Sequence, residues 1–122
     1  MINRTKAISD HLKELGVSAS LNGYRYLRYG ISRMAEDITL MDAITKRLYP
    51  EIAQTFNTTA SRVEKGIRTA IESGWDRGNR ESQKRLFGYT VDMNKGKPTN
   101  CEFIVTVADY VLMCESDGAD NA

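Results

Sequence analysis

Apolar residues recur along this chain three and four positions apart, the spacing that places one hydrophobic stripe on a helix. Ile8, Leu12 and Leu15 form the first stripe, in a short helix over residues 5–15 that Gly16 stops. A second helix follows Gly23 over residues 24–37, where Tyr24, Leu27, Ile31, Met34 and Ile38 keep the same rhythm. Arg25, Arg28 and Arg33 fall off that stripe, either as a solvated face or as supporting phosphate contacts. Leu40, Ile44 and Leu48 carry helical spacing through residues 40–49. Pro50 lacks an amide donor and clashes with the preceding turn, so it must start a helix or bend one. Residues 50–56, with Ile52, Ala53 and Phe56 inward, therefore join 40–49 through a kink or stand apart across a sharp bend.

Asn57 occupies the next turn, where a left-handed backbone is often required and asparagine tolerates it. Thr58 and Thr59 are both competent caps for a longer helix, residues 59–76. Around its axis Ala60, Val63, Ile67, Ala70, Ile71, Gly74 and Trp75 fill one arc. Ser61, Arg62, Lys65, Arg68, Thr69 and Glu72 fill the opposite one, and Glu64 lies at the edge of the apolar arc. Gly66 falls on the exposed flank, where it costs about 1 kcal/mol against alanine. Close approach of a backbone or a phosphate accounts for it, and so does neutral drift.

Asn79 caps a short helix over residues 80–87 that turns Leu86 and Phe87 inward, and Gly88 ends it. Residues 89–98 read as a loop carrying Lys95 and Lys97, which could touch phosphates. Thr99 or Asn100 caps the last element, and with Thr99 as the cap Glu102 is placed to reach back. The run 103–113 is β-branched enough for a strand, while its length and cap favour a helix. A lone strand would lack a partner, so a helix is expected. Residues 115–122 are acidic and expected to fray. The pattern predicts an all-α fold, a compact bundle of about six helices in one domain over 1–122, with an ordered core of about 5–114.

Composition narrows the function. With 41% hydrophobic and 27% charged residues the chain is an ordinary globular one, and its 122 residues suit one domain. A formal net charge of +1 argues against a dedicated non-specific nucleic-acid binder. Positive charge serving DNA must be local, and it is. From Thr58 to Arg85 seven bases (Arg62, Lys65, Arg68, Arg77, Arg80, Lys84, Arg85) outnumber four acids (Glu64, Glu72, Asp76, Glu81). Cys101 and Cys114, thirteen apart, would stand about 20 Å apart along one helix, too far for a bridge. Free thiols fit a reducing cytoplasm. No metal-type spacing is present, and His11 reads as a solvated helix residue. Neither a signal peptide nor a membrane span is evident, and no cofactor is implied. Without a nucleophile–base pair, usefully spaced carboxylates or a phosphate-cradling glycine loop, no catalytic site and no enzyme are expected.

The layout from Ile52 to Trp75 is that of a helix-turn-helix, whose second helix offers its N-terminal residues to base edges in the major groove. Arg62, Lys65 and Arg68 can bond guanine, and Glu64 can accept from cytosine. Thr58, Thr59 and Ser61, with the free amides of the helix start, suit a phosphate. Double-stranded DNA is thus the expected partner. The alternative is a helical protein-interaction or antagonist module that keeps the fold without strong specific DNA binding.

Leu48-Tyr49-Pro50-Glu51-Ile52-Ala53, Phe56-Asn57-Thr58-Thr59-Ala60-Ser61-Arg62-Val63-Glu64, Leu86-Phe87-Gly88-Tyr89-Thr90 and Lys97-Pro98-Thr99-Asn100 resemble the C-terminal effector domain of the master sporulation response regulator, stage-zero sporulation protein A. Leu15-Gly16-Val17, Gly23-Tyr24 and Tyr26-Leu27-Arg28 extend the likeness, which covers about residues 7–112. The resemblance implies a six-helix domain with a helix-turn-helix, binding to short promoter boxes, and transcription regulation with an RNA polymerase sigma factor. It also implies that the last run is a helix. The family's base-reading residues fall on Arg62, Glu64 and Arg68. The family has arginine, alanine and histidine where this chain has Lys65, Gly66 and Thr69, which leaves the box preference open. No stretch resembles the family's phosphate-accepting receiver domain, so the chain reads as a receiver-less effector domain. One short helix reads few base pairs, which makes tandem self-association on DNA a natural expectation.

Overall fold

The computed structural model describes residues 3–88 and 96–121, and every regular element among them is helical. Helix α1 (Arg4–Glu14) starts where the Asn3 side chain accepts from the Lys6 amide, and it buries Ile8 and Leu12. Helix α2 (Asn22–Glu36) turns Tyr24, Leu27, Ile31 and Met34 into the core and packs most extensively on α4 (Ala60–Trp75) and α6 (Asn100–Asn121). Between α2 and α3 (Tyr49–Thr55) lie two tighter and wider turns. Ile38–Asp42 is a 3-10 turn capped by Asp37, and Ile44–Leu48 is a π turn that runs directly into α3.

The helix expected over 40–49 is therefore interrupted, at Ala43, whose φ of −140° leaves the helical region. Pro50 explains the join that follows. Its ring would collide with a carbonyl one α-turn earlier, and the wider turn ends at Leu48, leaving the proline in the first turn of α3. Of the two arrangements the sequence allowed, the continuous one is realised.

Helix α5 (Arg80–Phe87) has the expected bounds, with the Asn79 carboxamide oxygen accepting from the Glu81 and Ser82 amides. The expected loop lies outside the described residues through 95, and 96–99 carry no regular structure. The ambiguous last run is helical, as expected. Thr99 is its cap: its hydroxyl accepts from the Glu102 amide at 3.0 Å, and Glu102 accepts from the Thr99 amide at 2.9 Å. Helix α6 runs past 115 to Asn121. Glu115 gains a two-pronged ion pair with Arg4, at 2.7 and 2.8 Å, which ties this part of α6 to α1. Aromatic packing closes the base of the bundle, with Trp75 edge-on to Phe87 at 5.2 Å and Phe87 against Phe103 at 5.5 Å.

Two close backbone crossings set how deeply α4 sits. An added Cβ on Gly23 would lie 2.2 Å from the Gly66 carbonyl oxygen, and one on Gly16 would lie 2.1 Å from that of Gly74. Gly66 thus stands at the α2–α4 crossing and not on an open flank: its carbonyl meets the Gly23 backbone, and the Tyr26 ring lies 3.1 Å from where its Cβ would be. His11 also differs from its expected solvated role. It is largely covered, with its ring edge-on to Tyr110 at 5.2 Å and its Nδ1 3.7 Å from a Glu14 oxygen.

Candidate nucleic-acid interface

Helix α3, the four-residue turn 56–59 and helix α4 build the exposed site. Phe56 ends α3, and Asn57 takes the left-handed conformation at φ 54°. The Thr58 amide then donates to the Ala53 carbonyl at 2.9 Å and the Asn57 amide to that of Gln54 at 3.4 Å. This pair closes α3 as a Schellman motif and satisfies carbonyls the helix end leaves open. Thr59 is extended at φ −111°, ψ 154°, and its hydroxyl accepts from the Arg62 amide at 3.2 Å, so Thr59 is the cap of α4.

The inner face of α4 is anchored by Val63, Ile67, Ala70, Ile71, Gly74 and Trp75, all buried, with Ala60 partly so. That burial fixes the rotation of the helix, and with it the outward direction of Ser61, Arg62, Glu64, Lys65 and Thr69, all exposed. Among the described residues, the Arg62 and Lys65 side chains take part in no ion pair or hydrogen bond. Thr59 is exposed and Thr58 half-buried beside them.

Arg68 is held differently. Its Nη1 donates to the Pro98 carbonyl at 2.9 Å and to the Asn100 carboxamide oxygen at 3.4 Å, and its Nε stands 3.6 Å from Glu72. Asn100 in turn donates from Nδ2 to the Tyr49 hydroxyl and to the Glu64 carbonyl, each at 3.2 Å. Tyr49, Glu64, Arg68 and Asn100, with Thr45 and Lys65, line a cleft of about 380 Å³ between α4 and the start of α6. Burial pushes the Tyr49 phenol above its ordinary pKa, so it is a neutral hydroxyl at any physiological pH.

Other bases that could have served phosphates make contacts within the chain. Arg33 donates to Glu51 at 2.6 and 3.3 Å and to Glu36 at 3.1 Å, tying α2 to the start of α3. Hydrogen bonding to Arg33 holds the Glu51 carboxyl below its ordinary value. Arg28 lies 5.5 Å from the centre of the Tyr24 ring, and Arg25 donates to Asn22. Lys97 donates to the Glu72 carbonyl and to Asp76, at 3.0 and 3.1 Å, and so caps the C-terminal end of α4. Lys95 lies outside the described residues.

The C-terminal domain of sporulation initiation factor Spo0A is the family whose model matches, over residues 8–111. The chain belongs to this family. It is a family of helical, DNA-binding transcription-regulator domains of sporulation, and the all-α bundle with its helix-turn-helix agrees with that membership. The match spans every helix from within α1 to within α6, so the α3–α4 pair and the α6 cap that meets it all belong to the family's domain. Among the described residues no helix is long and apolar enough to cross a membrane, and no cluster of metal-binding side chains forms.

Tyr49, Pro98 and Asn100 were not among the candidate residues read from sequence, although all three surround the Arg68 anchor. Asn100 offered one signal, its place beside Thr99 at the helix cap. Its reach to α4 depends on a tertiary contact across 32 positions of chain, which local pattern does not carry.

Proposed function

We propose that this chain is a sequence-specific DNA-binding transcription regulator of the sporulation type, with α4 as the recognition helix in the major groove of short promoter boxes. The observation that carries the reading is the N-terminal half of α4. It exposes Arg62, Glu64 and Lys65 from a helix whose opposite face is buried, so the side chains project from a rigid support. Arg62, Glu64, Lys65 and Arg68 are assigned base contacts, and Thr58, Thr59 and Ser61 phosphate contacts. The Thr59 hydroxyl accepts from the Arg62 amide and keeps its own proton to donate to a phosphate oxygen. The 122 residues act as one effector domain, cytoplasmic, with a sigma factor of RNA polymerase and a second copy bound in tandem as its partners.

Selection of bound sites from a random duplex library, followed by mobility shifts, tests this. Arg68→Ala should cost roughly 1–3 kcal/mol of binding and relax preference at one base pair. Unchanged affinity together with unchanged preference would sink the groove assignment.

A second reading, a helical protein-interaction or antagonist module, is favoured by one surface. The exposed side chains of Ile38, Met41 and Met113 gather around a groove of about 550 Å³ floored by Leu86, Val105 and Tyr110. Capture of a protein partner with no detectable duplex binding would favour it over the first.

A further inference from the structure

We propose that Asn100 is a positioning residue for recognition: by holding Arg68 it sets the base preference of that arginine. The inference rests on the reading of α4 as the recognition helix. Arg68 is the candidate base reader whose guanidinium is already engaged by the protein. A guanidinium presents five N–H donors in one plane. Here both Nη1 donors are directed into the protein, toward the Pro98 carbonyl and the Asn100 oxygen. That leaves Nη2 and the Nε edge, with Glu72 3.6 Å from Nε. An end-on approach to guanine O6 and N7 needs one Nη1 donor and would have to break one of these bonds. A side-on approach through Nε and Nη2 is open once Glu72 swings away.

Asn100 can impose this because it is itself fixed. Its Nδ2 is committed to the Tyr49 hydroxyl and the Glu64 carbonyl, so flipping the carboxamide would break both bonds and set an NH2 group against the guanidinium. It is the first residue of α6, and the reciprocal Thr99–Glu102 cap pins the backbone there. An arginine ordered in advance also loses less rotamer freedom when it meets a base.

The test uses the full chain and duplexes in which each base pair of the selected site is varied in turn. Arg68→Ala should flatten preference at one pair. Asn100→Ala should lower discrimination at that same pair by about three- to tenfold and leave the other pairs within about twofold. On the Arg68→Ala background, Asn100→Ala should add nothing to the loss. Should Asn100→Ala not fold, Asn100→Gln carries the same test, since it keeps both groups but displaces them by one methylene. Equal weakening on every duplex, as general destabilisation produces, overturns the proposal, and so does unaltered discrimination at the Arg68 pair. If Arg68→Ala changes no preference, the recognition reading of Arg68 falls and this inference with it. If Arg68→Ala acts and Asn100→Ala does not, only this inference falls.

Discussion

Lys65 presents a single compact charge where a planar fork would discriminate better. Its side chain is exposed and pairs with no acid among the described residues, so nothing in the fold restrains its ammonium. An ammonium can bond guanine but rotates freely about its stem, whereas a guanidinium meets O6 and N7 together. Lys65→Arg should therefore raise discrimination at one base pair, by about fivefold or more if a two-pronged contact forms. Affinity for non-specific duplex should hardly change, because the charge is conserved. Competition mobility shifts against specific and random duplexes read both quantities; a gain on both alike would mean the new arginine contacts only phosphate. Local chemistry of this kind was legible where a residue type has one use, as with the left-handed Asn57. It was not legible where two neighbours are equivalent. Thr58 and Thr59 are the same residue, and the α3 end decides between them by using the Thr58 amide.

Helix α4 owes its depth to the crossing with α2, and the two glycines there are not equivalent. A Cβ on Gly23 would meet backbone, the Gly66 oxygen at 2.2 Å, which cannot yield without moving a helix. A Cβ on Gly66 would meet the Tyr26 ring at 3.1 Å, a side chain able to shift slightly. Gly23→Ala should therefore destabilise by about 1–3 kcal/mol as overpacking does, or more if the helices separate. Gly66→Ala should change stability by less than about 1 kcal/mol, its gain in helix propensity set against the displaced ring. Urea denaturation of both variants checks the asymmetry, and equal losses would mean the crossing is looser than described. The inward set of α4, from Val63 to Trp75, was legible because helical periodicity is a local property and burial simply follows it. The last helix was legible for a related reason, since an unpartnered strand has nowhere to bond. What Gly66, Arg33 and Arg68 touch was not legible. Gly23, Glu51 and Pro98 are brought to them by tertiary folding, and sequence spacing says nothing about such meetings.

Several bases, Arg4, Arg33, Arg85 and Lys97 among them, are spent on the fold. Arg4 holds Glu115, Arg33 holds Glu51, and in both pairs the hydrogen bond to arginine keeps the carboxyl below its ordinary pKa. A carboxyl depressed in the folded state binds fewer protons there than when unfolded, so its contribution is full above the unfolded value of about 4.3 and fades as pH falls through the folded one. Glu51→Gln with Glu115→Gln should lower stability at neutral pH only modestly, because both pairs are partly exposed, and should flatten its decline below about pH 5. Urea midpoints across a pH series test this, and a decline as steep as that of the parent chain would place the acid-sensitive groups elsewhere. The same distribution bears on DNA. With Arg4, Arg33, Arg85 and Lys97 paired internally, Arg62 and Lys65 are the bases that the N-terminal half of α4 offers to the duplex. Each phosphate neutralised contributes about −0.9 to the slope of log affinity against log salt. A single copy should thus show a shallow slope, on the order of −2 to −4, and two copies on adjacent boxes about twice that. Titrations in increasing salt on one-box and two-box duplexes measure both. A steep slope on a single box would require basic groups beyond α4 to reach the backbone.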